Sequence, residues 1–204
     1  MRLLVVCLTG LLIGCAGADV AVDSQFPPPL VNRIDLSMGI HLSEELTSFV
    51  HEEDLDNNGE WRINIGSAQQ RMFSALFEGM FRSHQIVVTP DEENTNVDGV
   101  LSPTISELQF TIPSQTRSDY FEVWIKYQMR LYDNTGDLVA EWPLTAYGKA
   151  NTKNFGFMES ASAPGMRQAT TEALRDAMAF FSLQFTQVPE VKKWLSSKTD
   201  HSVI

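Results

Sequence analysis

Phe121-Glu122-Val123-Trp124-Ile125-Lys126-Tyr127-Gln128-Met129-Arg130-Leu131 runs into Asp133-Asn134-Thr135-Gly136-Asp137 and returns as Leu138-Val139-Ala140-Glu141-Trp142-Pro143-Leu144-Thr145-Ala146. In the outgoing run, Phe121, Val123, Ile125, Tyr127, Met129 and Leu131 share one parity. Glu122, Trp124, Lys126, Gln128 and Arg130 share the other. A period of two marks a half-buried strand. Leu138, Ala140, Trp142, Leu144 and Ala146 repeat the pattern on the way back, and the polar, glycine-containing turn joins the two runs as a long hairpin with one dry face.

Upstream, residues 97–112 form a second long strand whose phase slips. Leu101 and Ile105 have one parity; Leu108, Phe110 and Ile112 have the other, so a bulge near Ser106-Glu107 is required. Residues 33–42 alternate cleanly, with Ile34, Leu36, Met38, Ile40 and Leu42 on one side. Trp61, Ile63 and Ile65 make a short strand, and residues 85–88 another. Gly66-Ser67 opens a helix in which Ala68, Met72, Phe73, Leu76, Phe77, Met80 and Phe81 recur at threes and fours, opposite a wet face of Gln69, Gln70, Ser74, Glu78 and Arg82. After a loop at 150–160, a second helix is expected from Pro164 to Thr186, lined by Met166, Ala169, Ala173, Leu174, Ala177, Phe180, Phe181 and Phe185. Pro189 stops it, and Val191, Trp194 and Leu195 suggest one last short helical turn. The fold class is therefore α+β: an antiparallel sheet of about five to six strands with two main helices packed on one face.

At the N-terminus a single Arg2 precedes an apolar run from Leu3 to Leu12. The run is about half the length a membrane-spanning helix needs, so it reads as a secretory signal. Leu12-Ile13-Gly14-Cys15 resembles the bacterial lipobox, which implies cleavage before Cys15 and lipid attachment to its sulfur, with three acyl chains, palmitate-like in kind, in a Gram-negative host. Two or more chains anchor stably where one does not. Ala16, rather than Asp, follows the cysteine, and resemblance to Gram-negative sorting then implies the outer membrane, periplasmic side. The expected organisation is a signal at 1–14, lipidated Cys15 with a Pro-rich tether to residue 29, a domain at 30–188, and a C-terminal segment at 189–204. Pro27-Pro28-Pro29 would stiffen the tether and hold the domain off the bilayer. Cys7 leaves with the signal and Cys15 is acylated, so the mature chain has no disulfide and no cysteine-based metal site or nucleophile.

The chain carries 26 acidic against 15 basic residues, a formal net charge of −11. That argues against nucleic acid as a partner and against direct adhesion to anionic headgroups. No nucleophile elbow, zinc-protease helix or phosphate-binding loop is present. His41, His51, His84 and His201 have no partner at metal-ligand spacing. Asp54-Leu55-Asp56-Asn57-Asn58-Gly59 is half of a calcium loop, but the twelfth position, where a bidentate Glu belongs, is Ile65. Glu44-Glu45 and Glu52-Glu53 lie in polar segments without the burial that would raise a catalytic carboxyl. No enzyme, cofactor or metal site is expected.

What remains is the wet face of the hairpin. Tyr120, Trp124, Tyr132 and Tyr147 stand there among Glu122, Lys126, Arg130 and Glu141. Aromatics mixed with charges fit a partner-binding surface; they equally fit cross-strand pairing on a solvated sheet, or cover by the C-terminal segment.

Residues 122–127, 131–133 and 142–149 (Glu-Val-Trp-Ile-Lys-Tyr, Leu-Tyr-Asp and Trp-Pro-Leu-Thr-Ala-Tyr-Gly-Lys) resemble a group of uncharacterised Gram-negative outer-membrane lipoproteins, over a stretch from about residue 59 to 149. The layout is also distantly similar to small lipoproteins of envelope transport, the auxiliary lipoproteins of lipid-transporting ABC systems and the lipoprotein partner of the lipopolysaccharide translocon. These resemblances imply no site residues. The expectation is an accessory or scaffold lipoprotein that supports envelope assembly or lipid transport by contact with an envelope protein. The alternative is a module that binds a small apolar ligand or lipid in a cavity lined by Met72, Phe77, Met129 and Phe181.

Overall fold

The structure is a computed structural model and describes residues 17–156 and 158–201. Cys15 and the segment expected to be a signal lie outside the described residues. Five strands form the main sheet: β2 (Ile34–Ile40), β5 (Phe81–Ile86), β6 (Gly99–Thr111), β7 (Tyr120–Asp133) and β8 (Leu138–Asn151), in the order β5-β2-β6-β7-β8. A second sheet holds β1 (Ala18–Ala21), β4 (Glu60–Asn64) and β3 (Val50–Asp54), in the order β1-β4-β3. Two long helices, α2 (Gly66–Met80) and α4 (Met158–Gln184), pack against the main sheet with α5 (Pro189–His201). The short helices α1 (Glu44–Thr47) and α3 (Pro113–Thr116) complete the chain.

β7 follows its alternation throughout, and β8 does so from Ala140 onward; Leu138, expected on the dry face, is 53% exposed because a register shift between Leu131 and Tyr132 sets it opposite Tyr132. β7 lies between β6 and β8, antiparallel to both, with Ile125 opposite Leu108 on one side and Ala146 on the other. Phe121, Val123, Ile125, Tyr127, Met129 and Leu131 are all buried. The phase slip in β6 is a register shift between Ile105 and Glu107, which returns Leu108 and Phe110 to the core side. An Asp at position 125 would be a charge in a fully buried slot without a partner, so Ile125→Asp is expected to unfold the domain, at a cost above about 4 kcal/mol. Gln128→Ala, on the opposite face, should cost less than about 0.5 kcal/mol. Paired thermal melts check the alternation: equal losses at both positions would contradict it.

The sheet is not purely antiparallel. β2 runs parallel to both β5 and β6, and β1 runs parallel to β4. Alternation reports which residues share a face but not the direction of the neighbouring strand. The chain leaves β2, passes through α1, the small sheet and α2, and re-enters as β5. A crossover of that length delivers a parallel strand.

The expected tether is the second correction. Residues 18–21 are a strand, and Val20, Val22 and Phe26 are buried. Arg71 holds this segment through bonds to the carbonyls of Val22 (3.2 Å) and Ser24 (3.3 Å). Pro29 sits so close to Gly79 that a Cβ there would meet its Cδ at 2.4 Å. The short apolar alternation Val20, Val22 was enough to add an edge strand once β4 offered one.

Smaller differences follow from packing. Gln69, expected on the wet face of α2, is fully buried because α1 covers it, and its amide donates to the Leu46 carbonyl at 2.8 Å. The second long helix starts before Pro164, which lies inside it, and the loop expected at 150–160 is shortened at both ends, β8 running to Asn151 and α4 starting at Met158, with a 3-10 turn at Thr152–Asn154 between them. The expected last turn is a thirteen-residue helix. It begins at Pro189, a residue suited to a first helical position, and its Trp194 covers Gly99.

Candidate functional site

The helices lie on the core side of the main sheet, leaving the other face of β6, β7 and β8 to solvent. Trp124 and Tyr147 are directly opposite each other in the β7–β8 ladder, with ring centroids 5.1 Å apart. Both are half-buried. The Tyr147 hydroxyl donates to Glu122 Oε1 at 2.5 Å. Burial, followed by the hydrogen bond and charge of Glu122, pushes that hydroxyl up to about 12, so at neutral pH it is a hydrogen-bond donor. Lys149 lies over the Tyr120 ring, 5.1 Å from its centroid, a cation–π contact.

Tyr120, Trp124 and Tyr147 thus gather at one end of the face. Tyr132 does not join them. It lies eight residues from Trp124 along one strand, on the order of 27 Å away, and packs against Val87, Val97 and Val100.

Two open clefts flank the tilted Trp124–Tyr147 pair. One, of about 410 Å³, is lined by Trp124 with Glu107, Gln109, Thr111, Lys126 and Thr145. Its polar groups are already ordered: Glu107 accepts from Lys126 at 2.9 Å and from Gln109 at 2.6 Å, and the bond from Lys126 holds its carboxyl below the usual range. The other cleft, of about 640 Å³, runs between the end of β8 and α4, where Gln168, Glu172, Arg175 and Asp176 face Tyr147 and Lys149. Asp176 accepts the backbone N–H of Tyr147 at 2.9 Å, tying the edge of β8 to the helix. Tyr147 is therefore held at its hydroxyl by Glu122 and at its backbone by Asp176, and Trp124 packs against its ring.

Counting outward from the hairpin turn, which pairs Tyr132 with Leu138, would have placed Trp124 opposite Ala146; a register shift between Leu131 and Tyr132 brings Tyr147 there instead. Nothing in the sequence could point to Asp176, whose role depends on how α4 docks, nor to Glu107 and Gln109, which reach the cleft only through the bulged register of β6.

The other candidate residues are accounted for individually. Asn58, in the half-calcium loop, accepts from Ser114 at its side chain and from the Trp61 indole at its carbonyl. Among the described residues no three His, Cys, Asp or Glu side chains converge as metal ligands would. His41 bonds to the Val87 carbonyl at 3.3 Å, His51 to Glu53 at 3.1 Å, and His84 lies edge-on to Phe77. The fully buried Tyr127 has its pKa pushed up by burial, and its hydroxyl meets no acceptor. Met72, Phe77, Met129 and Phe181 are fully buried, and Phe77 stacks on Phe181 at 6.4 Å: side chains pack against each other where an apolar ligand would have to lie. No helix among the described residues is long and apolar enough to cross a membrane.

No protein-family model matches the chain, and no curated protein matches it. Distant likenesses exist among solved structures. A minor lipoprotein of Acinetobacter baumannii is 12% identical, with 81% of this chain and 96% of that one covered, at a TM-score of 0.38. A provisionally assigned lipoprotein of Caulobacter crescentus CB15 is 14% identical, with 64% and 83% covered, at 0.35. A provisionally assigned neuraminyllactose-binding hemagglutinin homolog of Helicobacter pylori is 8% identical, with 90% and 100% covered, at 0.41. Scores this low fall short of a shared fold.

Proposed function

We propose that this protein is a lipid-anchored, non-enzymatic accessory protein of the Gram-negative outer membrane. It faces the periplasm and holds an envelope protein partner against the open face of β6–β8, supporting envelope assembly or lipid transport. The lipobox-like Leu12-Ile13-Gly14-Cys15 supports the anchor. The observation that carries the binding reading is the Trp124–Tyr147 pair. A half-exposed indole packs against the ring of Tyr147, which Glu122 holds in place, so a partner can bury it at little further cost in side-chain freedom. The packed core at Phe77 and Phe181 favours this reading over the apolar-ligand module.

Trp124→Ala is expected to lower the melting temperature by only a few degrees, since about 1 kcal/mol of cross-strand pairing is lost. It should weaken partner capture by tenfold or more. A photocrosslinking residue at Gln128, in intact cells, should give the same discrete adduct in wild type and lose it in Trp124→Ala. An early melt with unchanged adduct yield would make Trp124 a structural residue and refute the proposal.

A further inference from the structure

The two edges of the main sheet are treated differently. β8 is blunted. Its Tyr147 N–H, which points away from β7, is taken by Asp176 at 2.9 Å. Alternation puts the nitrogen of Pro143 in the same outward row, and proline has no N–H to offer. Natural sheets protect their edges with such devices because an unpaired row of N–H and C=O groups is a template for another strand.

β5, at the other edge, has none of them. Its sequence, Phe81-Arg82-Ser83-His84-Gln85-Ile86, contains no proline, and its one charge, Arg82, is matched by Asp35 at 2.9 Å. It pairs only with β2. The Val87 N–H points to β2, where it donates to Ile40, so the alternation turns the backbone groups of His84 and Ile86, and of Arg82 before them, to the free side. Among the described residues no backbone partner meets them there. Ile86 is 62% exposed although it lies opposite the fully buried Ile40, and Val88 is 87% exposed. The core face of the sheet continues past the last helix and ends uncovered.

We infer that the β5 edge pairs with β5 of a second copy of this chain, antiparallel, about a two-fold axis at His84. Three features select a second copy. The outward residues 82, 84 and 86 are symmetric about His84. A two-fold there sets Arg82 opposite the partner's Ile86, and His84 opposite the partner's His84, so every outward group of the strand is satisfied by the same strand in the other copy. The stretch 81–90 carries no carboxylate in a chain with net charge −11, so two copies that repel elsewhere can approach here. Pro90 then ends the pairing where the chain turns away. This edge is at the opposite side of the sheet from Trp124, and the inference stands independently of the partner-binding face.

The two-fold puts the two His84 Cα atoms in a hydrogen-bonded antiparallel pair, about 5.5 Å apart, within disulfide range. In full-length protein in native membranes under mild oxidant, His84→Cys should give a disulfide-linked dimer on a non-reducing gel. Gln85→Cys and Val88→Cys should not, because their copies lie beyond the roughly 7 Å that a disulfide spans. Ile86→Pro added to His84→Cys should abolish the product by removing an outward N–H. Wild type, in which only unprocessed chain would carry a free Cys7 or Cys15, sets the background. Sedimentation of detergent-solubilised wild type should give the dimer mass. A monomer mass, or equal crosslinking at 84, 85 and 88, would overturn the inference; so would persistence of the dimer in the Ile86→Pro background.

Discussion

Gly148→Ala is expected to destabilise the protein by more than about 3 kcal/mol, and Gly148→Val to prevent folding. A Cβ at Gly148 would stand 2.1 Å from the Ala169 carbonyl oxygen, 2.2 Å from the Ala173 nitrogen and 2.8 Å from the Glu172 carbonyl carbon. All three are backbone atoms of α4, so no rotamer change relieves the clash and the helix must lift off β8. That movement would also break the Asp176 bond to Tyr147 and expose Ala146 and Ala150, which are nearly fully buried. Gly156→Ala is the comparison. A Cβ there meets nothing within 4 Å, and only its φ of 86° is unfavourable, a cost of about 1 kcal/mol. Chemical denaturation of both variants checks the argument. A loss at Gly148 no larger than at Gly156 would mean that α4 does not approach β8 so closely.

How far the fold was legible follows from which forces are local. The β7–β8 hairpin and the β6 bulge could be read because strand period and turn chemistry are carried by neighbouring residues, and Phe121 to Leu131 repeat without a fault. α2 was legible for the same reason, since Met72, Phe73, Leu76, Phe77 and Met80 keep helical spacing. Strand order and direction depend on contacts between residues far apart in sequence. The parallel β5-β2-β6 arrangement therefore left no mark on β2 itself, whose residues would alternate identically in an antiparallel sheet. Residues 18–26 misled for a related reason: four residues of alternation beside three prolines look like a linker until an edge of β4 is available to pair with them. In the candidate site, the parity of Tyr120, Trp124 and Tyr147 was readable, but their gathering was not, because it depends on the register shift between Leu131 and Tyr132 that sets Tyr147 rather than Ala146 opposite Trp124. The separation of Tyr132 required the positions of Val87 and Val97, which a loop delivers. Gly148 could be flagged as an interruption of a strand, where glycine often marks a close backbone approach. That the approaching backbone is α4 was not.

The absence of a long tether sharpens the expectation for the anchor. Cys15→Ser is expected to remove nearly all of the protein from the membrane fraction, either as soluble chain or as unprocessed precursor. Acyl burial is what holds a chain of this kind on a bilayer, and serine accepts no diacylglyceryl group. The domain itself should be unaffected, because the ordered fold already includes Gly17: a Cβ there would stand 1.5 Å from the Glu60 carbonyl oxygen. The soluble form should therefore melt at the wild-type temperature. From Cys15 to Ala18 is three residue steps, at most about 11 Å of chain, so the end of the molecule that carries β1 and β4 would lie against the headgroups. A protease added to intact spheroplast or outer-membrane preparations should then find no cleavable linker between the lipid and β1, whereas a ten-residue Gly-Ser insertion after Ala16 should create one and release a folded domain. Wild-type mass spectrometry should show an N-terminal acylated cysteine. A mature terminus elsewhere without lipid would refute the anchor, and cleavage of the wild type between lipid and β1 would refute the close seating of the domain on the membrane.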